Sequence, residues 1–272
     1  MKKFSLIVGL SLLMLAACVS SPSDHGSAVL MHQIAPTGKL RAAIPVGPSG
    51  NQFRATIDPG TNHPRGVSVD LANALGQKLG IPVQFVTYSN NVDLLDAASR
   101  NVWDIAFLTV DQERAKVADF APPYYLYEFT YLVPAGSAIQ NQSEVDRSGV
   151  RIAVAEGSVT ARDREQALKL AKLKRFKTLP EIRGQLAAGN VDAAAAGRET
   201  LAGLATQLPG ARVLDGAFSV DGVAIAVPKG RPEALAYVSA FIESAKANGL
   251  VRQAFDAAGF RAAAVAPAAP RK

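Results

Sequence analysis

Short apolar runs alternate with amphipathic helical patterns through most of this chain, and that alternation limits the folds available to it. The apolar run Leu40–Ile44 is followed by Ser68–Leu79, in which leucines recur every four residues, as on one face of a helix. Gly80 ends this helical pattern, and the β-type run Val83–Thr87 comes next. The alternation predicts an α/β architecture with mainly parallel sheets.

The same pattern returns in the second half of the chain. Val150–Val154 and Asp192–Ala195 are predicted as strands, and Ser158–Ala171 as a helix. In each half a turn leads to an aspartate, Asp104 or Asp192, and an apolar strand begins directly after it. These parallels hint at two similar lobes.

The N-terminus has the organisation of an export signal. Two lysines precede an apolar run that ends at Ala17, and this run is too short to span a bilayer comfortably. Small residues then lead to Cys18, so the segment resembles a bacterial lipoprotein signal. The resemblance implies that residues 1–17 are removed and that Cys18 carries lipid, anchoring the protein to the cell membrane or the outer membrane. The alternative is an ordinary secretory signal whose cysteine is incidental.

Composition excludes several kinds of site. Cys18 is the only cysteine, so an internal disulfide and a cysteine-based metal site are both excluded. The three histidines lie in the leader region and in a loop rich in proline and glycine, and no metal site or cofactor is expected. The formal net charge of +6 is a mild excess, and we expect no nucleic-acid partner.

The two ends of the mature chain have loop-like compositions. Residues 18–37 are rich in serine, proline and glycine and are predicted to form a flexible tether after the lipidated cysteine. Residues 263–272 consist largely of alanine and proline and are predicted to be a disordered tail.

Two segments that follow predicted strands are candidates for binding an anion. Arg114 follows the strand Ile105–Leu108, and a guanidinium beside the hydroxyl of Thr109 can grip a carboxylate. Ser158 opens a helix after Gly157, where free backbone N–H groups can bind an anion. Each residue also has a structural alternative, because Arg114 can be a surface arginine and Ser158 a plain N-cap.

Four motifs occur in a fixed order along the chain, at Gly66–Ala72, Asp104–Tyr125, Ile152–Ser158 and Gly222–Gly230. In this order and spacing they resemble the family 3 solute-binding proteins. These proteins are the extracytoplasmic receptors of ABC importers for amino acids and other polar solutes. The resemblance covers about residues 38–262.

The resemblance implies the two-lobed periplasmic-binding-protein fold of type II, with two mainly parallel sheets flanked by helices and two hinge crossovers. Lobe 1 would comprise residues 38–123 and 222–262, and lobe 2 residues 129–217. The implied function is that of a periplasmic receptor, monomeric and not an enzyme. Its lobes would close around a small carboxylate-bearing solute, an amino acid or a related organic acid, and deliver it to a membrane permease.

The resemblance also implies roles for individual residues. Arg114 matches the arginine that binds the solute carboxylate, Thr109 matches a residue that supplements it, and Ser158 matches a helix-start residue of lobe 2 that also reaches the anion. Gly197, however, stands where relatives that bind α-amino acids usually carry an aspartate for the solute ammonium. The cleft is therefore expected to keep its carboxylate grip and to lack the standard ammonium anchor.

Three further residues have open alternatives. Phe107 stands where a small residue is usual, and it either contacts the solute or belongs to the core. Asp111 stands where threonine or serine is common, and it, or Glu156, either replaces the missing anchor or pairs with the nearby arginine. Asn91 either hydrogen-bonds the solute or simply belongs to a turn.

Two other functions are compatible with the same fold. A periplasmic dehydratase similar to cyclohexadienyl dehydratase would use a cleft carboxylate, Glu156, Glu199 or Asp111, as a general acid. A ligand-sensing lipoprotein would keep the cleft for signalling. The sequence offers no nucleophile beside a base and no metal cluster, so a binding receptor is favoured.

Overall fold

The computed structural model describes residues 22–46, 55–89 and 91–270. The strands in this part of the chain are β1 (Leu40–Pro45), β2 (Thr56–Ile57), β3 (Pro64–Arg65), β4 (Val83–Tyr88), β5 (Ile105–Thr109), β6 (Ala118–Phe120), β7 (Tyr125–Val133), β8 (Arg151–Ala155), β9 (Lys172–Phe176), β10 (Ala193–Gly197), β11 (Arg212–Val213) and β12 (Ser219–Pro228). The helices are α1 (Pro22–Ile34), α2 (Val67–Leu79), α3 (Asn91–Asp96), α4 (Val159–Ala167), α5 (Leu179–Ala187), α6 (Arg198–Ala205), α7 (Pro232–Ala247) and α8 (Leu250–Ala257).

The main sheet is mixed and continuous across both halves of the molecule. Its order is β4-β1-β5-β12-β7-β10-β8-β9, with β6 beside β12 and β11 beside β7. On one side β1 runs parallel to β4 and β5, and on the other β8 runs parallel to β9 and β10. The α/β prediction is confirmed, but the two expected parallel sheets merge into one. The merger arises because β7 and β12 pair antiparallel in the centre, with Val223 opposite Tyr125 and Ser219 opposite Phe129.

Helix α2 shows how the sequence pattern produces the fold. Leu71 and Leu75 are buried in the core, as their four-residue spacing predicts. Gly80 ends the helix in the left-handed region with φ 71°, where its N–H bonds the carbonyl groups of the last turn. A side chain at Gly76 would overlap with Val83 of β4, so this glycine permits close packing of helix and strand.

The two aspartates at the starts of β5 and β10 make the same contacts. Asp104 Oδ2 accepts hydrogen bonds from the backbone N–H and from Nε of Arg41 at 3.0 and 2.9 Å. Asp104 Oδ1 accepts a hydrogen bond from Arg41 Nη2 at 2.7 Å. Asp192 accepts the same three groups of Arg151 at 2.8, 2.9 and 2.8 Å. Each pair joins the amino ends of two parallel strands, β1 and β5 in the first half and β8 and β10 in the second. The same contact therefore holds neighbouring strands together in both halves of the sheet.

The segment 18–37, predicted as a flexible tether, contains helix α1 in its described part. Ile34 is fully buried, and the Gln33 side chain accepts the backbone N–H of Glu233 at 2.8 Å, at the start of α7. The structure corrects the prediction here, since the serine and glycine content of the segment obscured a short apolar stretch at its end. Cys18 lies outside the described residues.

The segment 263–272, predicted as a disordered tail, is described as far as residue 270. It lies beside the start of β7. Val265 forms a β-bridge with Tyr125, and the Ala266 N–H donates to the Tyr124 carbonyl at 3.0 Å. Lys246 of α7 donates to the Pro267 carbonyl at 2.8 Å. These backbone partners correct the prediction, which rested on composition alone.

The helix predicted over Ser158–Ala171 ends early, at Ala167. The carboxylate of Asp146 accepts the backbone N–H groups of residues 169–171, and these bonds compete with continuation of the helix. Most of the basic residues from Lys169 to Lys177 lie on β9, an edge strand of the sheet. Charged side chains on an edge strand oppose pairing with other chains.

Candidate functional site

Arg114 lies in the short turn after β5, at the carboxyl end of the strand, and is only 2% exposed. Its Nη1 donates to the Thr109 carbonyl at 2.9 Å, and its Nε lies 3.1 Å from Asp111 Oδ2. The other oxygen, Asp111 Oδ1, accepts the backbone N–H groups of Glu113 and Arg114 at 2.9 and 3.1 Å. Asp111 therefore both shapes the turn and supplies a carboxylate to the buried guanidinium.

Asp111 also connects the two halves of the molecule. Arg162 of α4, which covers the second half of the sheet, donates Nη2 to Asp111 Oδ2 at 2.7 Å. Its Nη1 donates to the Gly157 carbonyl at 3.2 Å. One carboxylate oxygen thus lies between guanidinium groups of both halves, as the Asp111 alternative of ion pairing predicted.

A further acid lies close to this ion pair. Burial raises the pKa of Asp221 on β12, and the negative charges of Asp163 and Asp111 raise it further. The positive charge of Arg114 opposes this shift and lowers the pKa of Asp221. Electrostatically, Arg114 and Arg162 therefore stand among several carboxylates where the two halves meet.

Ser158 adopts its structural alternative. Its Oγ accepts the Ala161 N–H at 3.0 Å and donates to the Ala155 carbonyl at 2.7 Å. The hydroxyl caps α4 and uses its single proton inside the chain. Thr109, which ends β5, is 1% exposed, so its side chain is also enclosed by protein.

The structure describes the side chain of Phe107 but not that of Asn91. Phe107 is completely buried, and its ring makes an edge contact with Tyr124 at 6.3 Å between centroids. Phe107 therefore packs in the core, as its core alternative predicted, and its contact with a solute stays a prediction. Asn91 begins α3, and its side chain lies outside the described part of the structure.

Gly197 ends β10 against an aromatic ring. A Cβ atom at this position would overlap with Cζ and Oη of Tyr127. The Tyr127 hydroxyl lies 2.8 Å from Oγ1 of Thr200 in α6, which fixes the ring in place. Tyr127 consequently fills the space into which a side chain at residue 197 would extend. The sequence signalled the missing aspartate but not the tyrosine that takes its room.

Glu199 is a partly buried carboxylate in the first turn of α6, two residues beyond Gly197. Its Oε1 accepts the hydroxyl of Tyr125, whereas Oε2 is buried and receives no hydrogen bond from the described residues. Burial raises the pKa of Glu199, and the Tyr125 hydrogen bond partly offsets this shift. Burial and the neighbouring carboxylate also raise the pKa of Tyr125. Sequence reasoning considered Glu199 only as a general acid.

A cavity of about 970 Å³ lies beside Glu199, and we call it the lateral cavity. Its described walls are the start of β7, helices α5 and α6, and segment 259–264, so both halves of the molecule contribute. Within it the Glu128 carboxylate pairs with Arg198 Nε at 2.6 Å. Neither Arg114 nor Ser158 is among the described residues that line it. The lateral cavity is therefore distinct from the Arg114 environment.

Metal-binding groups, membrane-spanning helices and candidate general acids have different outcomes among the described residues. No group of three histidine, cysteine, aspartate or glutamate side chains in that part of the chain could hold a metal ion. None of the helices described is long and apolar enough to cross a membrane. Of the three carboxylates considered as general acids, Glu156 is exposed, Asp111 is ion-paired and Glu199 is the one with a pKa raised by burial.

Residues 45–257 match the family described as bacterial extracellular solute-binding proteins, family 3. An L-arginine-binding protein of Pseudomonas aeruginosa is 27% identical over 203 residues, which cover 70% of this chain and 78% of that protein. A glutamine-binding protein of Geobacillus stearothermophilus is 27% identical over 177 residues, covering 63% of this chain and 67% of that protein.

Solved structures have the same architecture. An ancestral amino acid-binding protein, a precursor of cyclohexadienyl dehydratase, superposes with a TM-score of 0.73 at 25% identity, covering 84% of this chain and 97% of that one. A solute receptor for L-cysteine from Neisseria gonorrhoeae gives a TM-score of 0.73 at 23% identity, covering 85% of this chain and 92% of that one. The fold is that of the type II periplasmic binding proteins.

Proposed function

Because the chain belongs to the bacterial extracellular solute-binding proteins of family 3, we propose that it is the receptor of an ABC importer. It captures a small carboxylate-bearing polar solute, an amino acid or a related organic acid, between its halves and delivers it to a membrane permease. The protein is a binding protein and not an enzyme, and it acts as a monomer outside the cytoplasm.

The observation that carries this proposal is the buried Arg114 at the carboxyl end of β5, held against a carboxylate. In open α/β folds, ligands bind at the carboxyl ends of strands. Arg162 approaches the same carboxylate from the other half. A solute carboxylate that joins or replaces Asp111 would gain two guanidinium partners at once, and this gain would favour closure of the halves.

Two rigid lobes are supported by how the core divides. The buried clusters around β1 and β5 belong almost entirely to residues before 130 and after 222, and those around β8 and β10 to residues between them. We assign residues 38–123 with 222–262 to lobe 1 and residues 129–217 to lobe 2. The two segments of β7 and β12 between these lobes would act as the hinge.

Location follows from the family and from the N-terminus. The family is extracellular, and Cys18 would hold the mature protein at a membrane through lipid. A lipid anchor keeps a receptor close to its permease, so that captured solute is released next to the importer.

A thermal-shift screen of the purified protein tests the proposal. Each α-amino acid is compared with the matching acid that lacks the amine, because a ligand that binds only the native state raises the melting temperature. We expect a carboxylate ligand to raise it. Arg114→Gln should weaken binding by at least about 2 kcal/mol, and the control Arg175→Gln, on the outer strand β9, should not. Binding that is equal in both variants would overturn the role of Arg114.

One observation favours a second candidate, a dehydratase. The ancestral protein noted above is a precursor of cyclohexadienyl dehydratase, and Glu199 is a partly buried carboxylate whose pKa is raised by desolvation. A carboxyl group whose pKa is raised by its environment can serve as a general acid that protonates a leaving group. Incubation with prephenate or arogenate, followed by ultraviolet absorbance and mass spectrometry of the products, decides between the two functions. Turnover that Glu199→Gln abolishes would establish the enzyme.

A further inference from the structure

The charges that line the lateral cavity do not balance. Three arginines and two glutamates line it among the described residues: Arg183, Arg198, Arg261, Glu128 and Glu199. The lining is therefore positively charged even when both glutamates are ionised. Burial raises the pKa of Glu199, which favours its neutral form and increases the positive excess.

The positive excess resides on Arg183 and Arg261. Arg198 has a partner for its charge, since its Nε pairs with Glu128 at 2.6 Å. Arg183 of α5 donates Nη1 to the neutral amide oxygen of Gln207, and it forms no ion pair with a described residue. Arg261 is exposed and has neither a hydrogen bond nor an ion pair within the described part of the chain.

These two guanidinium groups come from opposite halves of the molecule. Arg183 belongs to α5, which packs against β8 and β10, whereas Arg261 lies in segment 259–264, directly after α8. A planar guanidinium matches the oxygen atoms of a carboxylate or phosphate group, to which it can donate two parallel hydrogen bonds. An anion in the lateral cavity would therefore be attracted by charge from both halves.

The rest of the wall suits the organic part of a ligand. Leu126, Leu179 and Phe260 line the lateral cavity, and Leu126 is 40% exposed. The volume of about 970 Å³ lies at the upper end of the roughly 300–1,000 Å³ that small-molecule sites occupy. Apolar surface that a ligand covers contributes binding free energy roughly in proportion to its area. The wall therefore favours an anion with an apolar body over an inorganic ion.

From the positive excess, its location on Arg183 and Arg261 and the apolar wall, we infer that the lateral cavity binds an organic anion. The ligand is an aryl or alkyl phosphate, or a carboxylate of similar shape. Its acidic group pairs with Arg183 and Arg261, and its apolar part lies against Leu126 and Phe260. Because Arg114 is not part of this site, the inference goes beyond the proposed function.

NMR titration of the ¹⁵N-labelled protein tests this inference. The probes are phenyl phosphate, inorganic phosphate as an anion without an apolar body, and phenethylammonium as a cation, all at matched ionic strength. A phosphate monoester carries roughly 1.5 to 2 negative charges at about pH 7. We expect phenyl phosphate to give saturable shifts of the amides of residues 181–183, 198–204 and 259–264. Inorganic phosphate should bind there at least about fivefold more weakly, and the cation should give no saturable shift.

Variants identify the groups that hold the anion. Arg183→Gln and Arg261→Gln each remove one charge, and we expect each to weaken the binding of phenyl phosphate about three- to tenfold. The double variant should bind more weakly than either single one. Arg175→Gln is the matched control, because it makes the same charge change on β9, outside the lateral cavity, and it should bind phenyl phosphate normally.

The outcomes separate this inference from the proposed function. The anion site would be overturned by absence of saturable shifts around the lateral cavity, by equal binding of inorganic phosphate, or by a double variant that binds as tightly as Arg175→Gln. In Arg114→Gln the shifts should persist even where the solute carboxylate no longer binds, and their loss would show that the probe binds at Arg114 instead. Should Arg114→Gln not fold, the location of the shifts in the wild-type protein decides.

Discussion

Replacing Asp111 by asparagine removes one negative charge from between two guanidinium groups. The asparagine Oδ1 can still accept the two backbone N–H groups that Asp111 accepts, so the turn keeps its cap. The ion pairs at 3.1 Å to Arg114 and 2.7 Å to Arg162 are lost. The substitution therefore isolates the electrostatic part of the contact.

The two lost pairs differ in value. Arg114 is 2% exposed and Asp111 14%, and breaking such a buried pair costs roughly 3–5 kcal/mol. Arg162 is 34% exposed, so its pair is screened by water and contributes only about 0.5 kcal/mol. Since some water also reaches Asp111, we expect a total loss of about 3 kcal/mol. For a chain of this size, that corresponds to a melting temperature lower by roughly 6–12 °C.

Urea unfolding followed by circular dichroism measures the change in the free energy of unfolding. Glu113→Gln is the matched control, because the pair between Glu113 and Lys116 lies in the same turn but is largely exposed. We expect the control to lose less than about 0.5 kcal/mol. An Asp111→Asn protein as stable as its Glu113→Gln counterpart would refute the reasoning that the buried guanidinium depends on this carboxylate.

Three further predictions follow from the same structure. Gly197→Ala should lower the free energy of unfolding by about 3 kcal/mol, because the added methyl group overlaps with Tyr127. Urea unfolding should show that a second change, Tyr127→Ala, removes this steric penalty. Additive losses of unfolding free energy in the double variant would contradict this. Burial raises the pKa of Glu199, so ionisation of this group lowers the stability of the folded protein as pH rises above the ordinary glutamate pKa. The free energy of unfolding of Glu199→Gln should therefore increase relative to that of the wild-type protein as pH rises. A difference between the two proteins that does not change with pH would argue against this burial. Cys18→Ser should move the protein from the membrane fraction to the soluble fraction on centrifugation, and unchanged partition would speak against the lipid anchor.

Local periodicity was sufficient to predict much of the fold. Helix α2 and strand β4 lie within one residue of their predicted bounds, because helix and strand periods are expressed within a few neighbouring residues. The same is true of the matched aspartates, Asp104 and Asp192, whose contacts repeat in the two halves. The union of the sheet through β7 and β12 was not predictable in this way, since it depends on pairing between distant segments.

The candidate site was predictable in position but not in contacts. Arg114 lies at a strand end as expected, yet the sequence left open whether Asp111 would pair with it. Phe107 and Ser158 have side chains that suit either a ligand or a structural role, and the sequence does not distinguish the two: Phe107 is buried in the core and Ser158 caps α4. The overlap between Tyr127 and residue 197 involves positions 70 residues apart, and no local pattern encodes it.

The paired contacts of Asp104 with Arg41 and of Asp192 with Arg151 have a consequence for how solute choice can change. Both clamps lie at the amino ends of parallel strands, whereas Arg114 and the α4 start lie at the carboxyl ends. The anchoring contacts and the residues proposed to bind solute thus lie at opposite margins of the sheet. Libraries that diversify the loops after β5, β8 and β10 should yield receptors for new solutes at little cost in folding, provided that these four anchoring residues, as well as Asp111, Arg114 and Gly197, are left untouched.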